Sequence, residues 1–219
     1  MKAKRLVVTV VLGMTLLVFL AGCTLFNSPP MASFTSTSSC GTPPLTVSFN
    51  ASTSSDSDGS IVSYAWNFGD GKTGSGITAT HTYNSAGTYT VQLTVTDDGG
   101  TNNYASQSVY VATEVSYDSL FRYNESYVGD VVYFRGKIIQ VQEQLFGGYV
   151  WRVATERNEY IGYIGDILWV NYNGSSRFLE GDIIDMCGKV KGLKTYTAIL
   201  GQQVTVPEID ALGVSLRPQ

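Results

Sequence analysis

The sequence is short of the residues on which most catalytic and metal sites depend. It holds one histidine, His81, and three cysteines, and no second histidine or cysteine pair stands at a spacing that would complete a zinc site. Any Ser/His/Asp triad would have to use the same histidine, and no nucleophile-elbow motif is present. The acidic residues mostly stand in turn contexts beside glycine. We therefore expect a protein that is not an enzyme, with a structural His81 and with no metal or other cofactor.

Charged side chains of either sign are also scarce. They make up 15% of the chain, and the net charge is −4. Residues 24–112 hold one lysine against five aspartates, and residues 113–219 hold ten basic against thirteen acidic side chains. Domains that bind nucleic acid normally show a basic excess. The charge distribution therefore argues against a nucleic-acid partner.

A long hydrophobic run is missing except at the N-terminus. There, three cations precede an apolar-rich run of about 15 residues, which is short for a membrane span but typical of a secretory signal, here residues 1–22. The run ends in Leu20-Ala21-Gly22-Cys23, which resembles the lipobox of bacterial lipoproteins. This resemblance implies that Cys23 is lipidated, that residues 23–30 form a tether, and that the protein is exported and anchored to the cell membrane or outer membrane. A plain signal peptide or a signal anchor is the alternative.

What the chain does contain is the composition of β-structure. Glycine (23 residues), threonine, serine, valine and tyrosine dominate, which favours strands with many turns over helical bundles. A length of 219 residues allows one or two domains with cores of their own. Apolar residues alternate over Leu45–Phe49 and over Val91–Val95, the period of a half-buried strand. We therefore predict an all-β chain.

The first half is organised around Trp66-Asn67-Phe68-Gly69-Asp70-Gly71, in which two aromatic side chains share one face of a strand and a hairpin signal follows. His81-Thr82-Tyr83 and a strand-like stretch from Gly87 to Asp97 come next. Together these motifs resemble the PKD domain of cell-surface and secreted proteins. The resemblance implies an immunoglobulin-like β-sandwich over residues 31–112, which would act as a spacer and adhesion module. We expect the Trp66 side chain to lie in its core.

The second half begins with helical spacing over residues 113–128, where Ser116 is a candidate N-cap, and returns to strand patterns from Gly129. The glycine spacing of Val128 to Ile138 and of Glu180 to Gly192 resembles that of strands in small OB-fold barrels. The resemblance implies an OB-like β-barrel over residues 113–219 with a short helical segment at its start. A second sandwich is the alternative. Gly136 is placed for a bulge or a sharp bend in the first barrel strand.

The barrel half also offers candidate ligand-binding residues. If Val132, Phe134 and Ile138 are directed into the core, the side chains between them point outward. Aromatic and cationic side chains on such a sheet suit sugars or single-stranded nucleic acid. We expect a ligand-binding face for polysaccharide, cell wall or a protein partner, made of Tyr133, Arg135, Lys137, Lys189 and Lys191. The alternatives are aromatics that only fill a core, and an envelope-assembly subunit that binds only protein partners.

The loop from Ser54 to Gly59 alternates oxygen-bearing side chains and ends in glycine, a pattern that can wrap Ca²⁺. Some PKD domains bind calcium through this loop together with residues at the start of the domain, here near Asn27-Ser28. The full EF-hand spacing and its closing glutamate are missing. We predict an Asx-rich turn without a tight calcium site at Asp56 and Asp58, and a calcium site is the alternative.

Two cysteines, Cys40 and Cys187, are left if Cys23 is lipidated. Export permits a disulfide. However, one cysteine lies in each predicted domain, and a bridge would join the two domains across a long sequence separation. We therefore expect two isolated thiols.

Overall fold

The computed structural model describes residues 27–217, apart from residues 146, 156, 159–161, 164–165 and 199. The signal segment 1–22 and Cys23 lie outside the described residues, so export and lipidation stay predictions. Among the described residues, no helix is both long and apolar enough to cross a bilayer.

Two sheets form the first domain, one with the strand order β1-β3-β6 and one with the order β2-β8-β7-β4-β5. Buried side chains from both sheets pack together in one core, which makes the domain a β-sandwich. The strands are β1 Thr35–Ser36, β2 Cys40–Gly41, β3 Leu45–Asn50, β4 Ile61–Asn67, β5 Thr73–Ser75, β6 Thr78–Tyr83, β7 Gly87–Asp97 and β8 Asn102–Val111.

The sandwich core contains the side chains that strand alternation places there. Val47 and Phe49 are buried on β3, and Val91, Leu93 and Val95 are buried opposite them on β7. Alternation works because successive side chains of a strand point to opposite faces of its sheet. The predicted inward positions of both strands are therefore confirmed.

Trp66 lies in this core, as predicted, with 2% of its surface exposed. Its ring packs edge-on against Phe34, and its Nε1–H donates to the carbonyl of Gly76 at 2.8 Å. A buried indole needs such an acceptor because an unpaired N–H is costly away from water.

The sandwich begins earlier than the tether prediction placed it. Asn27 Nδ2 donates to Asp97 Oδ2 at 2.9 Å, and the Ser28 backbone N–H donates to Asp58 Oδ2 at 3.0 Å. Residues 27 and 28 are therefore bonded to the loops of the first domain.

The second domain is a closed barrel of five strands in the order β10-β11-β14-β16-β15, with β10 and β15 paired to complete the ring. The β14–β16 pair is parallel, and the other four pairs are antiparallel. The elements are β9 Thr113–Glu114, α1 Tyr117–Arg122, α2 Asn124–Tyr127, β10 Val131–Glu143, β11 Tyr149–Ala154, β12 Arg157–Asn158, β13 Gly162–Tyr163, β14 Ile167–Tyr172, β15 Ile183–Thr197 and β16 Gln203–Leu216. The predicted fold class, all-β with a sandwich followed by a barrel and a short helical segment, is confirmed.

The expectation of two isolated thiols is wrong, because Cys40 and Cys187 form a disulfide. Their Cα atoms lie 5.6 Å apart although 147 positions separate them in sequence. Cys40 is on β2, which pairs with the end of β8, and the chain passes from there through β9 to the barrel. Both sulfur-bearing residues are buried in a small cluster with Ala112 and Tyr133. The long sequence separation did not indicate the pairing, because β15 with Cys187 comes back to the place where the chain leaves the sandwich.

Candidate ligand-binding groove on the barrel

The five predicted ligand-binding residues do not form one exposed surface. Strand β10 alternates as expected, with Val132, Phe134 and Ile138 in the barrel core. However, Tyr133 is only 7% exposed, because the disulfide and Ala112 of the first domain cover it. The predicted exposure of Tyr133 is therefore wrong. This outward position of the barrel contacts the other domain of the same chain.

A hydrogen-bonded network on Asp185 holds the neighbouring side chains of this contact. The Tyr133 hydroxyl and Arg135 Nε both donate to Asp185 Oδ1 at 2.7 Å, and Arg217 Nε donates to Oδ2 at 2.9 Å. Partial burial tends to raise the pKa of Asp185, but the hydrogen bonds from these three groups outweigh it and hold the pKa below its ordinary value. Arg135 is therefore engaged within the protein.

The three lysines lie apart from this network. Lys189 is exposed and stands opposite Val131, on the far side of the covered Tyr133–Cys187 pair from Arg135. Lys191 is exposed and pairs with Asp210 at 3.3 Å. Lys137 is half-buried beside Ile183. Strand alternation alone suggests one continuous positive face. The first domain covers Tyr133 in the middle of that face and so separates Arg135 from Lys189.

A groove with a volume of about 580 Å³ lies elsewhere on the barrel, against β10, β11, β14 and the end of the β15–β16 hairpin. Two aromatic rings form its floor, with Trp169 and Tyr196 centroids 5.3 Å apart and tilted by 42°. The guanidinium carbon of Arg152 lies 5.3 Å from the centre of the Tyr196 ring, and Lys194 Nζ lies 5.7 Å from that of Trp169. We call this the Trp169–Tyr196 groove. Its rim includes Gln140, Gln142, Leu200 and Gln202.

Strand pairing explains why these side chains meet. Trp151 and Val153 on β11 point into the barrel core, so Arg152 between them points outward. On β14, Leu168 and Val170 point inward and Trp169 points outward. Arg152 and Trp169 are direct partners in the β11–β14 ladder. Tyr196 lies near the end of β15, beyond the part of that strand that pairs with β10. From there it reaches Arg152 and Trp169.

The sequence pattern did not indicate that Trp169 and Tyr196 meet, and the predicted binding residues did not include Arg152. The alternation of Tyr149–Ala154 was a usable signal, because placing Trp151 in the core places Arg152 outside. The position of Tyr196 carried no such signal. It depends on how far the β15–β16 hairpin extends over the neighbouring strands.

The predicted structural role of His81 agrees with its contacts. Its Nε2 lies 2.8 Å from Asp70 Oδ2, and its ring stacks on Phe68 at a centroid distance of 4.3 Å. The ring also meets Tyr83 edge-on. The Tyr83 hydroxyl donates to the Phe68 carbonyl at 3.0 Å, so these residues hold one corner of the sandwich together.

The loop around Asp56 is the second place where polar groups are unusual. Both carboxylate oxygens of Asp56 are buried and accept no hydrogen bond. Asp56 Oδ2 and Asp98 Oδ1 both lie beside Gly59, at 2.8 and 2.3 Å from the point where a Cβ would stand. In the described part of the chain, no three His, Cys, Asp or Glu side chains are grouped closely enough to hold a metal by themselves. Any cation here would need backbone or water oxygens as well.

Comparison with known proteins identifies the first domain. Residues 27–113 match the family model described as the PKD domain. Over 61 residues, 28% of this chain, the sequence is 52% identical to the pre-pro-metalloprotease PrtV of Vibrio cholerae serotype O1, of which it covers 7%. Over 68 residues, 31% of this chain, it is 43% identical to collagenase ColA of Clostridium perfringens, of which it covers 6%.

The crystal structure of the PKD1 domain from Vibrio cholerae metalloprotease PrtV is 43% identical, with a TM-score of 0.35, and the match covers 39% of this chain and 100% of that one. This chain spans less than a tenth of the length of the two curated relatives described above. What is shared with them is confined to about a third of this chain. Residues 27–113 of this protein are a PKD domain.

Proposed function

We propose that this protein is a non-catalytic binding protein in which the PKD domain is a spacer and adhesion module and the barrel binds polysaccharide at the Trp169–Tyr196 groove. The observation that carries the proposal is the tilted Trp169–Tyr196 pair on the floor of an open groove, 5.3 Å between centroids. Aromatic faces stack on the C–H faces of sugar rings, and amide side chains such as Gln140 and Gln142 can bond the hydroxyl groups.

The position of the groove on the barrel supports the same proposal. Small OB-fold barrels bind oligosaccharides and oligonucleotides through the second and third strands and the neighbouring loops. In this barrel the second and third strands are β11 and β14, which supply Arg152 and Trp169. This support is an analogy from fold to function. The acidic balance of residues 113–219 favours sugar over nucleic acid.

Export and lipid anchoring complete the proposal. The apolar run that ends at Cys23 supports lipidation at that residue, which would hold the two domains outside the cytoplasm, at the cell membrane or outer membrane. The Cys40–Cys187 disulfide supports export independently, because disulfides persist mainly in oxidising compartments. Replacing Cys23 by alanine should therefore leave an unlipidated precursor.

The test is retention on insoluble cellulose, chitin and peptidoglycan. We expect Trp169→Ala to reduce retention about tenfold, which corresponds to about 1.4 kcal/mol. Tyr104→Ala is the matched control, because Tyr104 is a 64% exposed aromatic on the PKD domain. Equal retention of wild type and Trp169→Ala would contradict the proposal. Capture of a protein partner with no retention on any polysaccharide would favour an envelope-assembly subunit instead.

The Asp56 loop favours a second, cation-binding role. A buried carboxylate without a hydrogen-bond donor is costly, and Ca²⁺ prefers six to eight oxygen ligands of this kind. The residues present fit such an ion if Asp56 and Asp98 supply carboxylate oxygens and the loop backbone and water supply the rest. This observation favours the calcium alternative over a simple Asx-rich turn.

A further inference from the structure

The Trp169–Tyr196 groove contains a cation without a matching anion. Among the described residues that line it, Arg152 is the only one that carries a charge. The nearby carboxylates of Glu208 and Asp210 accept hydrogen bonds from Asn171 at 3.0 and 2.8 Å. They also stand within 4.0 Å of Lys194 and Lys191 respectively. The acids of β16 are therefore engaged elsewhere.

The Arg152 side chain has an incomplete set of hydrogen-bond partners. It is half-buried, and its Nη1 donates to Gln140 Oε1 at 3.1 Å. Its Nε is buried and has no hydrogen-bond partner, and none of the ion pairs among the described residues includes Arg152. A guanidinium partly withdrawn from water loses hydration, and a neighbouring anion that accepts its N–H groups compensates for that loss. The groove is thus preorganised for a ligand with a negative charge.

We propose that the groove selects an acidic polysaccharide, with a sugar carboxylate pairing with the Arg152 guanidinium while a sugar ring packs on Trp169 and Tyr196. This inference rests on the proposed function, because it assumes that the groove binds polysaccharide. A guanidinium presents N–H groups in a planar fork that matches a carboxylate. A channel that follows nucleic-acid phosphates needs several cations along it, whereas Arg152 is the one cation among the described lining residues, with Lys194 on the Trp169 ring beside it.

The test compares two forms of one polymer, polygalacturonate and its fully methyl-esterified form, which has the same backbone without the charge. Binding to full-length protein in detergent is measured by calorimetry. We expect the free acid to bind about tenfold more tightly or better, because hydrogen bonds to charged groups are the strong ones. Arg152→Gln should lose that preference, so that it binds the free acid and the ester about equally. Arg152→Lys, which keeps the charge and loses the fork, should fall between wild type and Arg152→Gln.

Lys189→Gln is the control for net charge, because Lys189 is an exposed cation outside the groove. It should bind the free acid as wild type does, and an equal loss in Lys189→Gln and Arg152→Gln would overturn the inference. Equal binding of acid and ester by wild type would overturn it too, while the proposed function survives. Binding of neither polymer, with no retention on any polysaccharide, would overturn both. Tighter binding of oligo(dT) than of polygalacturonate would overturn it in favour of nucleic acid. If Arg152→Gln does not fold, the acid and ester comparison on wild type decides.

Discussion

Tyr133 and Arg152 both lie at outward-facing positions of the barrel, but they differ in whether their polar groups have hydrogen-bond partners within the protein. Tyr133 is covered by the first domain, and its hydroxyl donates a hydrogen bond to Asp185. Burial and the contact with Asp185 raise the pKa of Tyr133, so it stays a neutral donor. Arg152 has a buried Nε without an acceptor and lies in an open groove. The polar group of the first residue has its partners within the fold, whereas the Nε of the second has none among the described residues.

One prediction concerns a single residue, Asp56, and its response to calcium. Because its two buried oxygens have no donor, bound Ca²⁺ would stabilise the native state over the unfolded chain. We expect millimolar CaCl₂ to raise the melting temperature of the wild-type protein. The stabilisation is about 2.7 kcal/mol when the ion stands at one hundred times its Kd. Asp56→Asn should remove most of this response, as measured by calorimetric melting.

The control for the calcium experiment is Asp118→Asn. The Asp118 side chain is 74% exposed on α1 and contacts Arg122, so this variant should respond to calcium as wild type does. Magnesium at the same concentration controls for ionic strength, because Mg²⁺ demands a smaller octahedral site. An unchanged melting temperature of wild type in calcium would return the loop to the Asx-rich turn that the sequence favours.

Among the elements, β10 best shows what alternation can and cannot establish. It correctly separates Val132, Phe134 and Ile138 from their neighbours. The irregularity expected at Gly136 instead lies between Ile138 and Gln140, where the pairing with β11 shifts register. Gly136 itself pairs regularly with Ile184. Its lack of a side chain has another cause, which is the close passage of β11.

A prediction about β10 follows from that close passage. A Cβ on Gly136 would stand 2.4 Å from Val153 Cγ1 and 2.7 Å from the carbonyl oxygen of Ala154. The second contact is with backbone, so β11 would have to move away where the barrel closes. We expect Gly136→Ala to lower the free energy of unfolding by about 1–3 kcal/mol, the range for overpacking a core, as measured by urea denaturation.

The double change Gly136→Ala with Val153→Ala separates the two contacts at Gly136. It removes the side-chain clash and leaves the backbone clash with Ala154 in place. Stability should therefore not recover to that of Val153→Ala alone. Full recovery would show that only the side chain of Val153 demands glycine here, and that the approach of the two backbones is not limiting.

Local periodicity was enough to predict the buried positions of β3, β7 and β10, because burial repeats along each strand. The two fold types were expected from the resemblance of motifs and glycine spacing to known families. Contacts between elements were not predictable in the same way. The Cys40–Cys187 pair and the Trp169–Tyr196 pair each join positions far apart in sequence. The first depends on how the domains meet, and the second on the reach of the β15–β16 hairpin. The alternation of β10 therefore could not indicate the candidate site, because Trp169 and Tyr196 lie on other strands.

On the scale of the whole molecule, the disulfide and the cluster around it join two domains with independent cores. The sandwich and the barrel each have a large apolar core, while the cluster between them has four buried members: Cys40, Ala112, Tyr133 and Cys187. Both halves of the chain after residue 23 carry a net negative charge, so long-range electrostatics does not draw them together. The covalent bond therefore constrains their mutual position together with the one-residue connection at Ala112 and the contacts of β2 with β15 and β16.

Removing this bond should change the relation of the domains more than the domains themselves. We expect the double variant Cys40→Ser, Cys187→Ser to retain the circular dichroism of wild type, because neither large core contains these residues. Its unfolding should separate into two calorimetric transitions, since the coupling between domains is weakened. Loss of a disulfide typically costs about 2–5 kcal/mol, and here the loss should fall on the contact between domains. The radius of gyration from small-angle X-ray scattering should increase.

The control is Cys23→Ala, which leaves the Cys40–Cys187 pair intact and should melt as wild type does. A double variant with one unchanged transition and an unchanged radius would show that the packing of Tyr133 and the contacts of β2 with β15 and β16 hold the domains together without the disulfide.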